Sequence, residues 1–302
     1  MQRRELLISA LTVSAAATTA SAAENIAPPV KDRAPTIVRA GDGVRLFHRD
    51  WGSGQPLLFV HSWALDHSIW NYQTLFLSQH GFRCIAFDWR GHGRSDTPAA
   101  GYDLDSFADD IAAMIEHLDL HDVVLVGHST GGGHIVRYLA RHGSARIAKV
   151  ILIAPTIPFS LRTDDNPYGA PLSYFEGLQK AWADDFPKWI EDNKAPFFTP
   201  DTSPAMMNWI ADLMRGAYLP AITLAHQLYV PVDLRADTSR VDRPTLILQG
   251  DKDVSAPLEA TGRRAAALIR NATLKVYPGA GHGVFLTHHR QLNQDMLDFV
   301  RA

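Results

Sequence analysis

Short apolar runs alternate with segments of helical periodicity along most of this chain. Two stretches at 36–39 and 44–48 flank the turn-rich residues 40–43, which predicts a β-hairpin. Runs with the length and β-branched content of buried strands follow at 56–60, 83–87, 122–126, 149–153, 244–250 and 273–277. Apolar residues recur at helical spacing at 69–80, 103–117, 133–142, 257–269 and 287–301. This alternation predicts an α/β fold, in which helices cover both faces of a mostly parallel sheet and the hairpin adds an antiparallel edge.

The regular pattern breaks at about residues 156–240. This stretch holds three proline-punctuated segments rich in aromatic residues, and no strand alternates with them. It predicts a helical cap inserted over the C-terminal edge of the sheet, where open α/β sheets bind ligands. We expect at least half of the aromatic side chains to serve core packing and the others to line an apolar pocket. The pocket candidates are Trp63, Phe159, Trp182, Trp209 and Leu258.

The N-terminal residues have the composition of a targeting segment. Arg3 and Arg4 precede an Ala-rich apolar stretch, and residues 20–22 are small, as a signal peptidase requires. The paired arginines favour a twin-arginine signal at 1–23 over a general secretory signal. Residues 24–35 predict a flexible spacer, so the folded domain is expected at 36–302. The protein is therefore expected to be exported to the periplasm or beyond.

Composition narrows the classes of partner. Of 302 residues, 46% are apolar and 20% charged, which is typical of a globular protein. A net charge of -3 gives no support for nucleic acid or an anionic membrane surface as partner. Cys84 is the single cysteine, so no intramolecular disulfide forms, and no stretch after the signal is apolar and long enough to span a membrane. Nothing in the sequence indicates an oligomeric state.

The candidate chemistry begins at Gly127-His128-Ser129-Thr130-Gly131, between a predicted strand and a predicted helix. Gly-x-Ser-x-Gly in this context is a nucleophile elbow, a sharp turn that exposes a strained serine. The two glycines leave room where neighbouring side chains would clash. We expect Ser129 to be the nucleophile and His128 to point into the protein as a structural residue.

A serine hydroxyl needs an adjacent base and a group that orients the base. His282 lies between glycines in the loop after the last strand, and it is the candidate base. The acid is Asp251 or Asp253, both just after the strand at 244–250. Asp253 lies further toward the cleft, whereas Asp251 directly follows Gly250 and is placed to fix the loop through backbone hydrogen bonds.

Acyl transfer also needs donors for the developing oxyanion. The backbone N–H groups of Thr130, at a helix N-terminus, and of Trp63, after the strand at 56–60, are the candidates. Although the chain has 14 histidines, none shows metal-ligand spacing with a matching carboxylate, so no metal site is predicted.

Together these segments resemble the α/β-hydrolase superfamily, and more narrowly its branch of cofactor-free haloperoxidases, perhydrolases and arylesterases. The resemblance covers residues 36–302 and is carried by 61–63, 88–95, 127–133, 141–149, 250–253 and 281–283. It implies catalysis without a cofactor, and it assigns the second aspartate of Gly-Asp-x-Asp, Asp253, to the triad. The chain departs from the branch at Ser62, where glycine is usual, and at Ala64, where perhydrolase-type members often have proline.

The sequence therefore predicts a serine esterase acting on aryl or short-acyl carboxylic esters through an acyl-enzyme on Ser129. The residue at position 64 favours plain ester hydrolysis over interception of the acyl-enzyme by peroxide, the perhydrolase and haloperoxidase reaction. Hydrolysis of a lactone, an amide or a carbon–carbon bond by the same triad is a second enzymatic hypothesis. The hypothesis from another class is a ligand-binding module without turnover.

Overall fold

A single sheet forms the centre of the structure, a computed structural model that describes residues 36–302. The predicted signal peptide and spacer lie outside the described residues. The strands are β1 (Ile37–Arg39), β2 (Arg45–Gly52), β3 (Pro56–Val60), β4 (Arg83–Phe87), β5 (Val123–His128), β6 (Ile147–Ile153), β7 (Thr245–Gly250) and β8 (Ala272–Tyr277). Their order across the sheet is β1-β2-β4-β3-β5-β6-β7-β8. Strands β3 to β8 run parallel, whereas β2 pairs antiparallel with both β1 and β4, which confirms the predicted fold class and hairpin.

Both faces of the sheet are buried, and alternate strand residues show it. Leu58 and Val60 of β3 belong to one apolar cluster, whereas Leu57 and Phe59 belong to another. Successive side chains of a strand point to opposite faces, so the two clusters lie on opposite sides of the sheet. Every residue of the central strand β5 is buried. This explains why the strands read as continuous apolar runs.

Helices cover the two faces and follow the strands in the predicted order. Those outside the segment between β6 and β7 are α1 (Asn71–Gln79), α2 (Leu104–His117), α3 (Thr130–His142), α8 (Gly262–Leu268), α9 (Val284–Thr287) and α10 (His289–Arg301). The side chain of Asp103 accepts from the N–H of Ser106 and so caps α2 at its N-terminus. No helix among the described residues is both long and apolar enough to cross a membrane.

The segment between β6 and β7 contains no strand of the sheet. It forms α4 (Leu172–Asn193), a short 3₁₀ turn (Ala195–Phe197), α5 (Pro204–Arg215), α6 (Leu219–Tyr229) and α7 (Arg235–Ser239). Pro204 and Pro220 lie in the first turns of α5 and α6, where the missing N–H costs no hydrogen bond. Pro187 instead lies inside α4, which departs from helical geometry at Asp185. We refer to residues 156–240 as the cap.

Two predicted helices begin at other residues than predicted. The helix predicted at 257–269 begins at Gly262, because the Thr261 hydroxyl donates to the carbonyls of Ala256 and Pro257 and holds these residues in turns. The helix predicted at 133–142 begins three residues earlier, directly after Ser129. The last predicted helix, 287–301, corresponds to α10, and α9 is a separate short helix before it that the pattern did not predict.

Candidate active site

The elbow serine adopts a conformation that few residues tolerate. Ser129 follows β5 directly, and its backbone has φ 54° and ψ −120°. Such strain costs about 1–3 kcal/mol and persists only where the surroundings impose it. Here the Ser129 N–H donates to the carbonyl of Ile153, and the Ser129 carbonyl accepts from Gly132 and Thr156. Ser129 is buried, at 6% exposure.

Glycines at the elbow permit close contact of backbones. A Cβ atom on Gly131 would lie 2.5 Å from the carbonyl oxygen of His61 and 2.6 Å from that of Val60. A Cβ atom on Gly127 would lie 2.7 Å from Cδ1 of Ile135. Neither glycine has a positive φ, so the requirement is for space and not for backbone freedom. The turn after β5 is therefore pressed against the end of β3.

The structure brings His282 and Asp253 together. Nδ1 of His282 lies 2.8 Å from Oδ2 of Asp253, and the Asp253 side chain has no exposed surface. The other oxygen, Oδ1, accepts from the backbone N–H groups of Ser255 at 3.0 Å and Ala256 at 2.8 Å. These bonds satisfy a buried carboxylate and leave Oδ2 directed at the imidazole.

Asp251, the alternative acid, has another partner. Its Oδ1 accepts from the backbone N–H of Gly279 at 2.7 Å, which ties the loop after β7 to the loop after β8. The side chain therefore contacts the loop that carries His282 and not the imidazole itself.

The loop that carries His282 is held from two sides. Nε2 of His128 lies 3.1 Å from the carbonyl oxygen of His282, which can only accept, so the imidazole of His128 donates. On the other side, the N–H of Gly283 donates to the carbonyl of Phe197 in the cap, at 2.7 Å. Burial holds the pKa of His128 well below its usual value, so this imidazole is neutral. The glycines on either side of His282 leave room for the cap, because a Cβ atom on Gly281 would lie 2.4 Å from the carbonyl oxygen of Pro196 and one on Gly283 would lie 2.5 Å from Cδ1 of Phe197.

The oxyanion candidates lie beside each other. The backbone N–H of Trp63 donates to Oγ1 of Thr130 at 3.1 Å, so the loop after β3 touches the first residue of α3. The Trp63 indole N–H donates to the carbonyl of Ile222 in the cap, at 2.8 Å. The next residue, Ala64, has φ 57°, which a proline ring cannot adopt. Proline at this position would therefore require a different loop.

Two buried histidines that sequence reasoning did not single out support this loop. His61 accepts from the N–H of Trp89 at Nε2 (3.2 Å), and His92 accepts from the N–H of Ala64 at Nε2 (3.3 Å). Each donates from Nδ1 to a backbone carbonyl, that of Ser62 and of Arg90 respectively. Burial lowers the pKa of His61 to about 3 and that of His92 to about 4, so both are neutral acceptors. A single sequence offers no signal for such a role, because only the fold shows which N–H groups they face.

Ser129 and His282 line one cavity of about 450 Å³ that extends under the cap. Of the predicted pocket residues, Trp63, Phe159 and Trp182 line it. Trp209 and Leu258 do not. Trp209 packs against Tyr72, and the adjacent Ile210 faces the cavity, because one helical step turns the side chain by about 100°. Leu258 is buried beside Gly262.

One cluster of side chains could in principle hold a cation. Asp66, His67 and Asp88 place ligand atoms within 4.8 Å of one another. Oδ1 of Asp88, however, already lies 2.7 Å from the backbone nitrogen and 2.8 Å from Nδ1 of His67. Asp66 likewise accepts from the backbone N–H of Ser68. These bonds explain the cluster as a loop anchor, since both carboxylates are committed to protein donors.

An elbow serine, a His–Asp pair and a cavity at the C-terminal edge of a parallel sheet are the features of one superfamily. Residues 55–289 match the sequence profile of the alpha/beta hydrolase fold. The chain belongs to the α/β-hydrolase family, in its non-heme haloperoxidase and esterase branch.

Among curated relatives, a non-heme haloperoxidase of Rhodococcus erythropolis is 41% identical over 276 residues, covering 88% of this chain and 99% of the relative. A bifunctional esterase/perhydrolase of Acinetobacter calcoaceticus is 36% identical over 277 residues, with the same coverage of each chain. Among solved structures, an esterase from Exiguobacterium antarcticum superimposes with a TM-score of 0.86 at 31% identity, over 88% of this chain and 99% of that one.

Replacing Gly131 tests the contact between the elbow and β3. We expect Gly131→Ala to abolish activity and to lower the urea concentration at which the protein unfolds, because the added methyl group would clash with the carbonyls of Val60 and His61. Gly177→Ala in α4 is the matched control, since nothing lies within 4 Å of its added Cβ. That control should be stabilised by up to about 1 kcal/mol, because alanine favours a helix more than glycine does. Urea unfolding of both variants is the measurement, and a Gly131→Ala protein as stable as wild type would contradict the contact.

The buried histidines make stability depend on pH. Burial lowers the folded-state pKa of His61, His92, His128 and His134, whereas the unfolded chain titrates near 6.5. Below pH 6.5 the unfolded state therefore binds more protons, and stability falls as pH falls from about 6.5 toward 4. Each such histidine contributes a slope of up to about 1.4 kcal/mol per pH unit.

Urea unfolding at pH 7.5, 6 and 5 measures this slope. His134→Phe is the matched variant, because His134 stacks on Phe107 at 4.3 Å and an aromatic ring can replace it. We expect the free energy of unfolding of this variant to depend less steeply on pH, by the contribution of one histidine. Equal stability of the wild type at pH 7.5 and 5 would contradict the conclusion that these histidines are neutral in the folded protein.

Proposed function

We propose that this protein is a serine hydrolase that cleaves carboxylic esters, either aryl esters or esters with a short acyl group. The observation that carries the proposal is the convergence of the elbow serine with a His282–Asp253 pair at one cavity. Ser129, Asp253 and His282 come from loops after β5, β7 and β8, which are parallel and so end at the same edge. Their chain order is the order typical of this family.

In the proposed reaction, Oγ of Ser129 attacks the ester carbonyl, and Nε2 of His282 accepts its proton. The Asp253 carboxylate holds the imidazole through Nδ1 and stabilises the imidazolium. The proton then passes to the leaving alcohol, and water, activated by His282, hydrolyses the acyl-enzyme. The N–H of Thr130 and the N–H of Trp63 stabilise the oxyanion, the latter as the substrate oxygen replaces Oγ1 of Thr130 as its acceptor.

The relatives support this reaction and name its main alternative. One is an esterase/perhydrolase and others are haloperoxidases. In the perhydrolase reaction hydrogen peroxide replaces water at the acyl-enzyme and the product is a peracid. Perhydrolase-type members of the family often have proline where this chain has Ala64, whose φ of 57° a proline could not adopt, and this difference supports water as the acceptor.

Substitutions in the triad test the proposed roles. Ser129→Ala is expected to abolish labelling by a fluorophosphonate probe and to lower ester turnover by at least about 10⁴-fold. Asp253→Asn should lower kcat by roughly 10⁴-fold, because an amide in place of the carboxylate selects the wrong tautomer of His282.

Asp251→Asn is the matched control. It removes the negative charge but keeps an oxygen that can accept from the Gly279 N–H, so it should cost at most about 1 kcal/mol of stability and leave kcat within a few-fold of wild type. A larger loss of kcat in Asp251→Asn than in Asp253→Asn would reverse the assignment of the acid. Probe labelling of a Ser129→Ala protein would remove Ser129 from the mechanism.

A panel of aryl esters, assayed with and without hydrogen peroxide, separates the two acyl acceptors. We expect 4-nitrophenyl esters with short acyl groups to be hydrolysed, and peracid formation to be a minor fraction of acyl transfer. Peracid is measured by halide oxidation and total turnover by release of 4-nitrophenol. Their ratio gives the fraction of the acyl-enzyme that reacts with peroxide and not with water. Peracid as the major product would favour the perhydrolase reaction, and absence of ester turnover would contradict both.

We further propose that the full chain is exported through the twin-arginine route. The support is the sequence of residues 1–23, together with alignments that cover 99% of several relatives but only 88% of this chain. Replacing Arg3 and Arg4 together by lysine should retain the protein in the cytoplasm, whereas Arg33→Lys in the spacer should not. Cell fractionation with N-terminal sequencing of the product is the measurement. Export of the double variant would contradict the twin-arginine route.

A further inference from the structure

The cavity wall contains a histidine that the proposed reaction does not use. His226, on α6, lines the cavity together with Ser129 and His282. Its ring centroid lies 4.8 Å from that of Trp182, 5.8 Å from that of Phe175 and 6.2 Å from that of Trp63. The imidazole is therefore a polar group set among aromatic rings.

Two glutamines fix the protonation of this imidazole. Nε2 of Gln227 donates to Oε1 of Gln179 at 3.1 Å, which leaves the amide nitrogen of Gln179 to donate to Nδ1 of His226, also at 3.1 Å. Because Nδ1 accepts, the proton of the neutral imidazole is on Nε2. Gln179 does not line the cavity, so Nδ1 faces away from the ligand space and toward α4.

The remaining nitrogen is a donor in need of a partner. Burial lowers the pKa of His226 to about 4, so the ring is neutral near pH 7 and keeps a single N–H. Nε2 forms no hydrogen bond with any residue in the described part of the chain. His226 is half-buried and Nε2 is not among the fully buried atoms, so water reaches this N–H in the free cavity. A ligand that displaces this water must supply an acceptor, because otherwise the N–H is left unpaired at a cost in affinity.

The charge of the cavity restricts the kind of acceptor. Among the lining residues that the structure describes, Lys194 alone carries a full charge at neutral pH, and it pairs with Glu191. A carboxylate bound in this cavity would have no unpaired cation to compensate it. A carbonyl, ether or ring nitrogen would carry no such penalty.

We propose that His226 is a specificity-determining residue, whose Nε2–H binds a neutral hydrogen-bond acceptor on the part of the substrate remote from the ester. The substrate class is then an ester with an apolar, aromatic-sized group that ends in or contains such an acceptor. This inference rests on the proposed esterase function for its substrate, and on the geometry of His226 alone for the binding of the acceptor.

The test compares two neutral probes of the same shape, 4-propylpyridine and propylbenzene, at a pH where the pyridine is unprotonated. Binding is followed by tryptophan fluorescence, since Trp63, Trp182 and Trp189 line the cavity. The measured quantity is the affinity for the pyridine divided by the affinity for the benzene. We expect this ratio to be about 3- to 10-fold larger in the wild-type protein than in His226→Phe, which is the effect of one hydrogen bond. Phenylalanine keeps the aromatic packing and removes only the donor.

Two further variants make the comparison specific. Gln179→Leu keeps the imidazole but removes the amide that fixes its tautomer, so the preference for pyridine should fall without disappearing. It also replaces His226→Phe as the test if that variant fails to fold. His289→Phe is the matched control, because His289 contacts Tyr72 on α1 and does not line the cavity, and both affinities should remain those of wild type.

An unchanged ratio in His226→Phe would overturn the inference, as would failure of both probes to bind. The measurement does not require turnover, so the two proposals fail separately. A protein that shows the pyridine preference but hydrolyses no ester contradicts the proposed function alone. A protein that hydrolyses esters with the same ratio in wild type and His226→Phe contradicts the role of His226 alone.

Discussion

The contact between Gly131 and the last carbonyls of β3 is the constraint on which the rest of the site depends. It brings the turn after β5 so close to the loop after β3 that the N–H of Trp63 reaches the side chain of Thr130. Ser129, whose backbone is strained, lies two residues before this contact. The close packing of these two backbone segments thus positions both the nucleophile and the oxyanion donors. No side chain of the cap takes part in this contact.

Buried neutral histidines hold the loops around this contact in place. His61 and His92 accept backbone N–H groups that have no partner in the sheet, and His128 donates to the carbonyl of His282. A carboxylate or a lysine in these places would bring an unpaired charge into the interior, whereas imidazole supplies one donor and one acceptor without charge. The site is therefore built from hydrogen bonds with defined direction, as electrostatic preorganisation requires.

The sheet and the place of the candidate triad could be predicted from the sequence, since chain order puts His282 and either Asp251 or Asp253 at the edge that carries Ser129, and the resemblance to the family then favours Asp253. Loops after parallel strands meet at one edge, and this alone places residues 124 and 153 positions after Ser129 near it. The cap could not be predicted to the same depth. Whether Trp209 or Ile210 faces the cavity depends on the rotation of α5, which aromatic composition does not encode. The tautomer of His226 depends on Gln179, which lies 47 positions away and on another helix.

The cap is tied to the machinery below it through its main chain. The Gly283 N–H donates to the carbonyl of Phe197, and the Trp63 indole donates to the carbonyl of Ile222. A main-chain acceptor is present whatever side chain the residue carries. Cap side chains can therefore be exchanged, by evolution or by library design, while the anchor points of the base loop and the oxyanion loop stay in place. The architecture separates the choice of substrate from the chemistry done on it.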